Sequence, residues 1–331
     1  MKASYAHYTL HFRQPAGTSR GVLTDKETYF LKLEDEDMPG VFGLGECAVF
    51  RGLSADDVPA YEDKLRELCA NISADKETDL HEFPSIRFGL ETAINDFANG
   101  CRRQPFPSDF TEGMSAIPIN GLVWMGTKEE MLHRIDDKIK AGFTTIKLKV
   151  GAIDTESELD LVRHIRKVFP PEVLTIRLDA NGGFTPDNAL QKLSDFARYG
   201  IHSIEQPIKQ GQWEAMQRIC TESPIDIALD EELIGIHTPE RMGEMLDAVR
   251  PKYIILKPSL IGGFSGSQDW IMQAARRDIG GWVTSALESN VGLNAIAQWT
   301  AQLGARMPQG LGTGALFTNN IGSPLEQVGE V

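Results

Sequence analysis

Residues 144–150 read Thr-Thr-Ile-Lys-Leu-Lys-Val, and residues 174–181 read Leu-Thr-Ile-Arg-Leu-Asp-Ala-Asn. Each run is short, rich in β-branched residues, and alternates strictly. Ile146, Leu148 and Val150 fall on one face and Lys147 and Lys149 on the other. In the second run Ile176, Leu178 and Ala180 oppose Arg177, Asp179 and Asn181. Successive side chains of a strand point to opposite faces, so each run sets a row of charges against a row of apolar residues. Solvated lysines guarding an edge strand would give the same alternation. On an inner strand, the apolar row packs on helices and the charged row faces a shared interior.

Working outward, the same unit recurs from about residue 116. Apolar runs at 116–124, 144–150, 174–181, 203–208, 225–233, 253–261, 281–288 and 310–317 alternate with amphipathic segments at 128–141, 155–168, 187–199, 212–220, 239–249, 265–277 and 291–303. Eight strand candidates at this spacing predict an α/β fold, a modified (β/α)8 TIM-type barrel written (β/α)7β. An open doubly wound sheet has the same alternation, but the count of eight favours the barrel. Gly310, Gly312 and Gly314 lack the strand–turn–helix setting of a dinucleotide fingerprint and read as close backbone approach.

The first 115 residues differ. Runs at 4–12, 28–34 and 41–49 alternate as antiparallel strands do, and helices are predicted over 55–71 and 84–99. The domain reading is an N-terminal α+β capping domain, 1–115, and a catalytic barrel, 116–317, with a tail at 318–331 that packs on the cap.

The chain has 331 residues, 41% hydrophobic and 24% charged, an ordinary globular balance. Its net charge of −14 disfavours nucleic acid and anionic lipid as partners. An anionic substrate would need a metal or lysines to reverse the field locally. Four cysteines without a CxxC pair do not suggest a disulfide scaffold. The start, MKASYAHYTLHF, is not a signal peptide, and no apolar run approaches the ~20 residues of a membrane helix. Cytoplasmic localisation is the expectation. The sequence sets no oligomeric state.

Barrel active sites lie at the C-terminal ends of the strands. Asp179, Glu205 and Asp230 stand near the ends of three successive strands. A lone Asp there is commonly a cap or turn residue, but three converging carboxylates repel one another unless a cation neutralises them. Oxygen-only ligands favour Mg2+, and the absence of His or Cys argues against zinc. Lys257 ends the sixth strand, across the barrel from Lys149. Neighbouring cations and partial burial both lower a lysine pKa, so a neutral amine is expected as base. The seven histidines fall outside the strand ends and read as surface residues. This constellation suits abstraction of a proton α to a carboxylate.

KLK at 147–149, DAN at 179–181, EQP at 205–207, DE at 230–231 and KP at 257–258 together resemble the enolase superfamily, and the paired lysines its muconate-cycloisomerase-like subgroup. Further segments, PAGTSRGVL, GECAVFRGLS, SALESNVGL and GLGTGALFTNN, are similar to the o-succinylbenzoate synthase branch. The resemblance implies Asp179, Glu205 and Asp230 as Mg2+ ligands, Lys149 as general base, Lys257 as the opposed cation and Lys147 as an aid that keeps the Lys149 pKa low. Arg177 and Glu231 would support them from behind. Candidate substrate contacts are Ser19 and Arg20, with Arg51 and Gly52 nearby in the cap, then Asn181, Ser285, Ser289, Gly312 and Thr313. Arg20 reads equally as a solvated loop cation, and the small residues could simply leave room. The implied activity is a hydro-lyase acting on a small anionic carboxylate, in menaquinone biosynthesis. Racemisation of N-succinyl amino acids and dipeptide epimerisation are the nearest rivals. A non-catalytic ligand-binding barrel is the remote one.

Overall fold

A computed structural model describes residues 1–18, 21–38 and 40–331. The N-terminal unit is an antiparallel sheet, β1 (Lys2–Thr18), β2 (Gly21–Glu34) and β3 (Phe42–Cys47), backed by α1 (Tyr61–Ser73) and α2 (Pro84–Ala98). Tyr29, Leu31, Leu33, Tyr61, Leu65 and Ile86 form its own core. Helix α1 begins six residues later than the pattern predicts. Its expected first turn is a loop instead, in which the Asp56 carboxylate accepts hydrogen bonds from Ser85 N (2.9 Å) and Oγ (2.6 Å).

The second unit is a curled parallel sheet. Seven strands among the described residues run in sequential order: β4 (Gly121–Val123), β5 (Thr145–Lys149), β6 (Thr175–Asp179), β7 (Ser203–Glu205), β8 (Asp226–Leu229), β9 (Tyr253–Leu256) and β10 (Gly280–Val283). Helices α3 (Lys128–Lys140), α4 (Thr155–Arg166), α5 (Ala189–Ala197), α6 (Trp213–Glu222), α7 (Pro239–Val249), α8 (Gly263–Ala275) and α9 (Asn290–Gln302) lie between and after them. Local chemistry sets several starts: a Thr127–Glu130 capping box opens α3, Asp154 caps α4, and Pro239 follows the Thr238 cap of α7. The outward apolar row of β5 and β6 is buried under these helices, Ile146, Leu148, Ile176 and Leu178 all at 0% exposure.

The eighth strand, expected over 310–317, is reduced to a closure. Gln309 bridges to Ile119 and Gly310 to Thr284, with Gln309 N donating to Pro118 O (2.8 Å) and Gly310 N to Val283 O (2.8 Å). Gly310 permits this because a Cβ there would lie 2.5 Å from Thr284 Oγ1. The tail first runs along the cap, Thr318 N donating to His11 O (2.8 Å). It then returns to the barrel, where Thr144 N donates to Glu330 Oε2 (2.8 Å). Among the described residues no helix is long and apolar enough to cross a membrane.

Candidate active site

The parallel register carries the inward rows into alignment. Lys149 pairs with Asp179, and Asp179 with Glu205, at the C-terminal ends of β5, β6 and β7. Glu205 pairs with Ala228 on β8, so Asp230 stands two residues further along on the same side, just beyond the strand. The three carboxylates are therefore not all at one depth: two are level and the third is a step higher. Lys257 directly follows β9.

Lysines and carboxylates interlock. Lys147 Nζ donates to Glu205 Oε2 (2.8 Å) and lies 3.2 Å from Asp179 Oδ2. Lys149 Nζ donates to Asp179 Oδ2 (2.7 Å) and Asn181 Oδ1 (2.5 Å), and Lys257 Nζ to Asp230 Oδ2 (2.5 Å). All six side chains are largely buried, so the charges act on one another with little solvent screening. Burial opposes ionisation of Asp179, but Lys149, Lys147 and Lys257 outweigh it and hold its carboxyl well below the usual range. Glu205 goes the other way: burial and the Asp179 and Asp230 charges push it up to about 7 despite Lys147. Burial alone would lower Lys147 and Lys257. Their carboxylate neighbours win, and both sit above the ordinary lysine value. These two amines are the counter-ions of the acids.

Glu205 Oε1 is buried and has no hydrogen-bond partner among the described residues. An orphaned carboxylate oxygen amid two further carboxylates is the donor chemistry a hard divalent cation needs. As the side chains stand, no group of three or more His, Cys, Asp or Glu among the described residues is drawn together closely enough to hold a metal. The ammonium groups instead engage an oxygen of each acid.

A layer behind the acids fixes their backbone. Asn181, in left-handed conformation (φ 43°), receives Lys149 on Oδ1, donates from Nδ2 to Glu231 Oε1 (3.0 Å) and from its amide to Asp179 Oδ1 (3.1 Å). Gln206, also left-handed (φ 37°), accepts Asp230 N (3.1 Å) and Glu232 N (3.2 Å) on Oε1 and donates to Glu232 Oε2 (3.0 Å). Neither Gln206 nor Glu232 was singled out from sequence, although Gln206 lies within the EQP run and Glu232 directly follows the DE pair. Arg177 lies deeper, with its guanidinium 4.0 Å from the Trp282 ring centre and Nη1 donating to Pro308 O (2.7 Å).

Above this floor opens a cleft of about 700 Å3, mouth included, whose lining includes Lys147, Lys149, Asp179, Asn181 and Lys257. Phe50 and Leu53 from the cap, Leu122 in β4 and Trp124 just after it supply apolar wall; Thr284, Ser285, Gly312 and Thr313 supply a small polar one. Ser285 and Thr313 share a 2.6 Å hydrogen bond. Ser289 is not part of the lining. It caps α9, and its Oγ donates to Glu46 Oε2 (2.6 Å), so the expected substrate contact is replaced by a contact with the cap. Arg51 is likewise engaged, by Glu27 (2.9 Å) and Asp57 (2.8 Å). Ser19 and Arg20 lie outside the described residues.

A curled parallel barrel with carboxylates and lysines at its C-terminal rim, under an α+β cap, is the enolase arrangement, and a family model described as enolase C-terminal domain-like matches residues 130–320. The o-succinylbenzoate synthase of Desulfotalea psychrophila is 46% identical over 98% of this chain and 96% of its own length. The crystal structure of MenC from that organism superposes with a TM-score of 0.89 at 42% identity, covering 100% of this chain and 98% of that one. The o-succinylbenzoate synthase of Thermosynechococcus elongatus, solved with Mg in its active site, gives a TM-score of 0.74 at 25% identity over 94% of this chain and 92% of that one. The L-Ala-D/L-Glu epimerase of Bacillus subtilis is 30% identical over 79% of this chain and 74% of its own. The chain belongs to the enolase superfamily and, within it, to the o-succinylbenzoate synthase family.

Proposed function

We propose that the protein catalyses the magnesium-dependent syn-dehydration of 2-succinyl-6-hydroxy-2,4-cyclohexadiene-1-carboxylate to o-succinylbenzoate, a cytoplasmic step of menaquinone biosynthesis. The observation that carries this reading is the placement of Lys149 and Lys257 in one pocket, each against a different carboxylate of the floor. Asp179, Glu205 and Asp230 would hold Mg2+, and the orphaned Glu205 oxygen supports that role. Bound there, Mg2+ supplies Lewis-acid stabilisation of the charge that develops on the substrate carboxylate.

The remaining chemistry belongs to the chain. Asn181 Oδ1, which accepts from Lys149 Nζ, holds that amine in place. Lys149 then takes the proton α to the carboxylate as its C–H bond breaks. It returns that proton to the β hydroxyl on the same face as the C–O bond breaks and water leaves. Lys257 stays cationic on the other side and stabilises the enediolate. The new double bond makes the ring aromatic, which drives the elimination.

Epimerisation of dipeptides is disfavoured on one point. Dipeptide epimerases hold the substrate's ammonium with acids on the eighth strand, whereas the wall here offers Gly310, Gly312 and Thr313. The test is turnover with Mg2+, followed by absorbance of the aromatic product. Ala-Glu and N-succinyl amino acids are run in parallel in D2O and scored for α-carbon exchange. Dehydration is expected to dominate. Absent dehydration with brisk exchange on the dipeptide would overturn the assignment.

A further inference from the structure

The pocket wall at 285–287 and the start of α9 are joined to the cap by one side chain. Glu46 of β3 is fully buried, and its carboxylate accepts Thr28 Oγ1 (2.8 Å), Ser289 N (2.9 Å), Ser289 Oγ (2.6 Å) and Gly292 N (2.9 Å). It thus caps the first turn of α9 from another domain, where free N–H groups and the helix dipole both favour an anion. Gly292 leaves the room for it, since a Cβ there would lie 2.8 Å from Glu46 Oε2.

The segment immediately before that turn is under constraint. Leu287, which lines the pocket, is held in left-handed backbone (φ 63°), a conformation a branched residue keeps only when its surroundings impose it. Glu288, next to it, is buried, accepting Ser259 Oγ (2.5 Å) on one oxygen and Ala286 N (2.8 Å) on the other. Lys26 of β2 is buried nearby, its ammonium without a hydrogen-bond partner among the described residues, and it interacts electrostatically with Glu46 and Glu288. The pocket wall is therefore clamped from the barrel by Glu288 and from the cap by Glu46.

We propose that Glu46 is a positioning residue for substrate binding: by capping α9 across the domain interface it holds Ala286 and Leu287 in their pocket-lining conformation. The effect on turnover rests on the dehydratase reading, whereas the effect on the wall does not. Docking of the cap and shaping of that wall are then one event. Loss of the contact loosens substrate binding and leaves the lysines and the carboxylate floor in place.

The experiment compares Glu46→Gln, Gly292→Ala and Gln298→Leu with the parent protein. Gln298→Leu removes a different cap contact of the same helix, Gln298 Nε2 to Arg103 O (2.9 Å), two turns further on. Amide hydrogen exchange is read across residues 285–292 and across the barrel strands, and KM and kcat are measured for dehydration. In Glu46→Gln, exchange at 285–292 is expected to accelerate about tenfold or more with the strands unchanged, KM to rise about tenfold, and kcat to stay within about twofold. Gly292→Ala, which displaces the carboxylate without changing a charge, is expected to do the same should Glu46→Gln fail to fold. Gln298→Leu is expected to shift thermal stability but neither KM nor local exchange. Unchanged exchange at 285–292 in both cap variants would overturn the proposal whether or not the protein dehydrates the substrate. So would an equal KM effect in Gln298→Leu. No turnover in the parent protein, with local exchange still accelerated in the variants, would instead reject the dehydratase reading and leave the clamp standing.

Discussion

Lys149 Nζ lies 2.7 Å from Asp179 Oδ2, so the proposed base and a proposed metal ligand form an ion pair. Lys149→Ala is expected to lower dehydration about a thousandfold or more, the upper part of the range for loss of a general base. Divalent-cation binding, read by calorimetry, should persist because the three acids remain. Activity within tenfold of the parent would remove Lys149 from its role.

Lys257 is paired with Asp230 in the same manner, at 2.5 Å. Removing its ammonium frees that oxygen while deleting the cation opposite the base. Lys257→Met is therefore expected to bind Mg2+ at least as tightly as the parent and to lose about a hundredfold in kcat. Weaker metal binding with unchanged kcat would show Lys257 to be structural.

Gln206 holds the Asp230 amide and braces Glu232, and it touches no proposed substrate. Its loss should misplace Asp230. Gln206→Ala is expected to weaken Mg2+ affinity about 10–100-fold, the usual effect of removing a residue that orients a ligand. Raising Mg2+ should restore most of kcat. Failure of excess metal to rescue turnover would place Gln206 in some other role.

The alternation at 147–149 and 177–181 made the floor of the site legible, because a two-residue period on a strand fixes which side chains share a face whatever the tertiary context. The helices were legible for the same reason, at their own period. What escaped was pairing at long range. Glu46 and Ser289 are 243 residues apart, and nothing local to Ser289 distinguishes a helix cap tied to another domain from a substrate contact. The eighth strand was expected at 310–317 but is shorter than that, because Gly310 and its neighbour Gln309 satisfy the barrel by isolated bridges. The late start of α1 follows from Asp56, whose carboxylate is committed to Ser85 rather than to a helical turn. The lysine charges could not be read from sequence either, since each depends on which acid reaches the amine.

Asp56 carries a pH prediction. Burial raises its carboxyl from 3.8 to about 6, with the Ser85 hydrogen bonds opposing, and its Oδ1 has no partner among the described residues. Between those values the native state binds more protons than the unfolded chain. Its contribution to stability is thus full below the unfolded value and is lost as pH rises through about 6. Asp56→Asn, which cannot ionise, should nearly match the parent near pH 4 and exceed it by about 2–3 kcal/mol near pH 7. Denaturant melts at the two pH values check this; a difference independent of pH would contradict it.

The most direct measurement is the position of a divalent ion in the crystal. Anomalous diffraction from crystals soaked in Mn2+, a hard-oxygen stand-in for Mg2+, is expected to show one peak at the barrel mouth within bonding distance of Asp179, Glu205 and Asp230, with Lys149 and Lys257 on opposite sides. No peak there, or an ion bound elsewhere while the three acids stay locked to their lysines, would contradict the account.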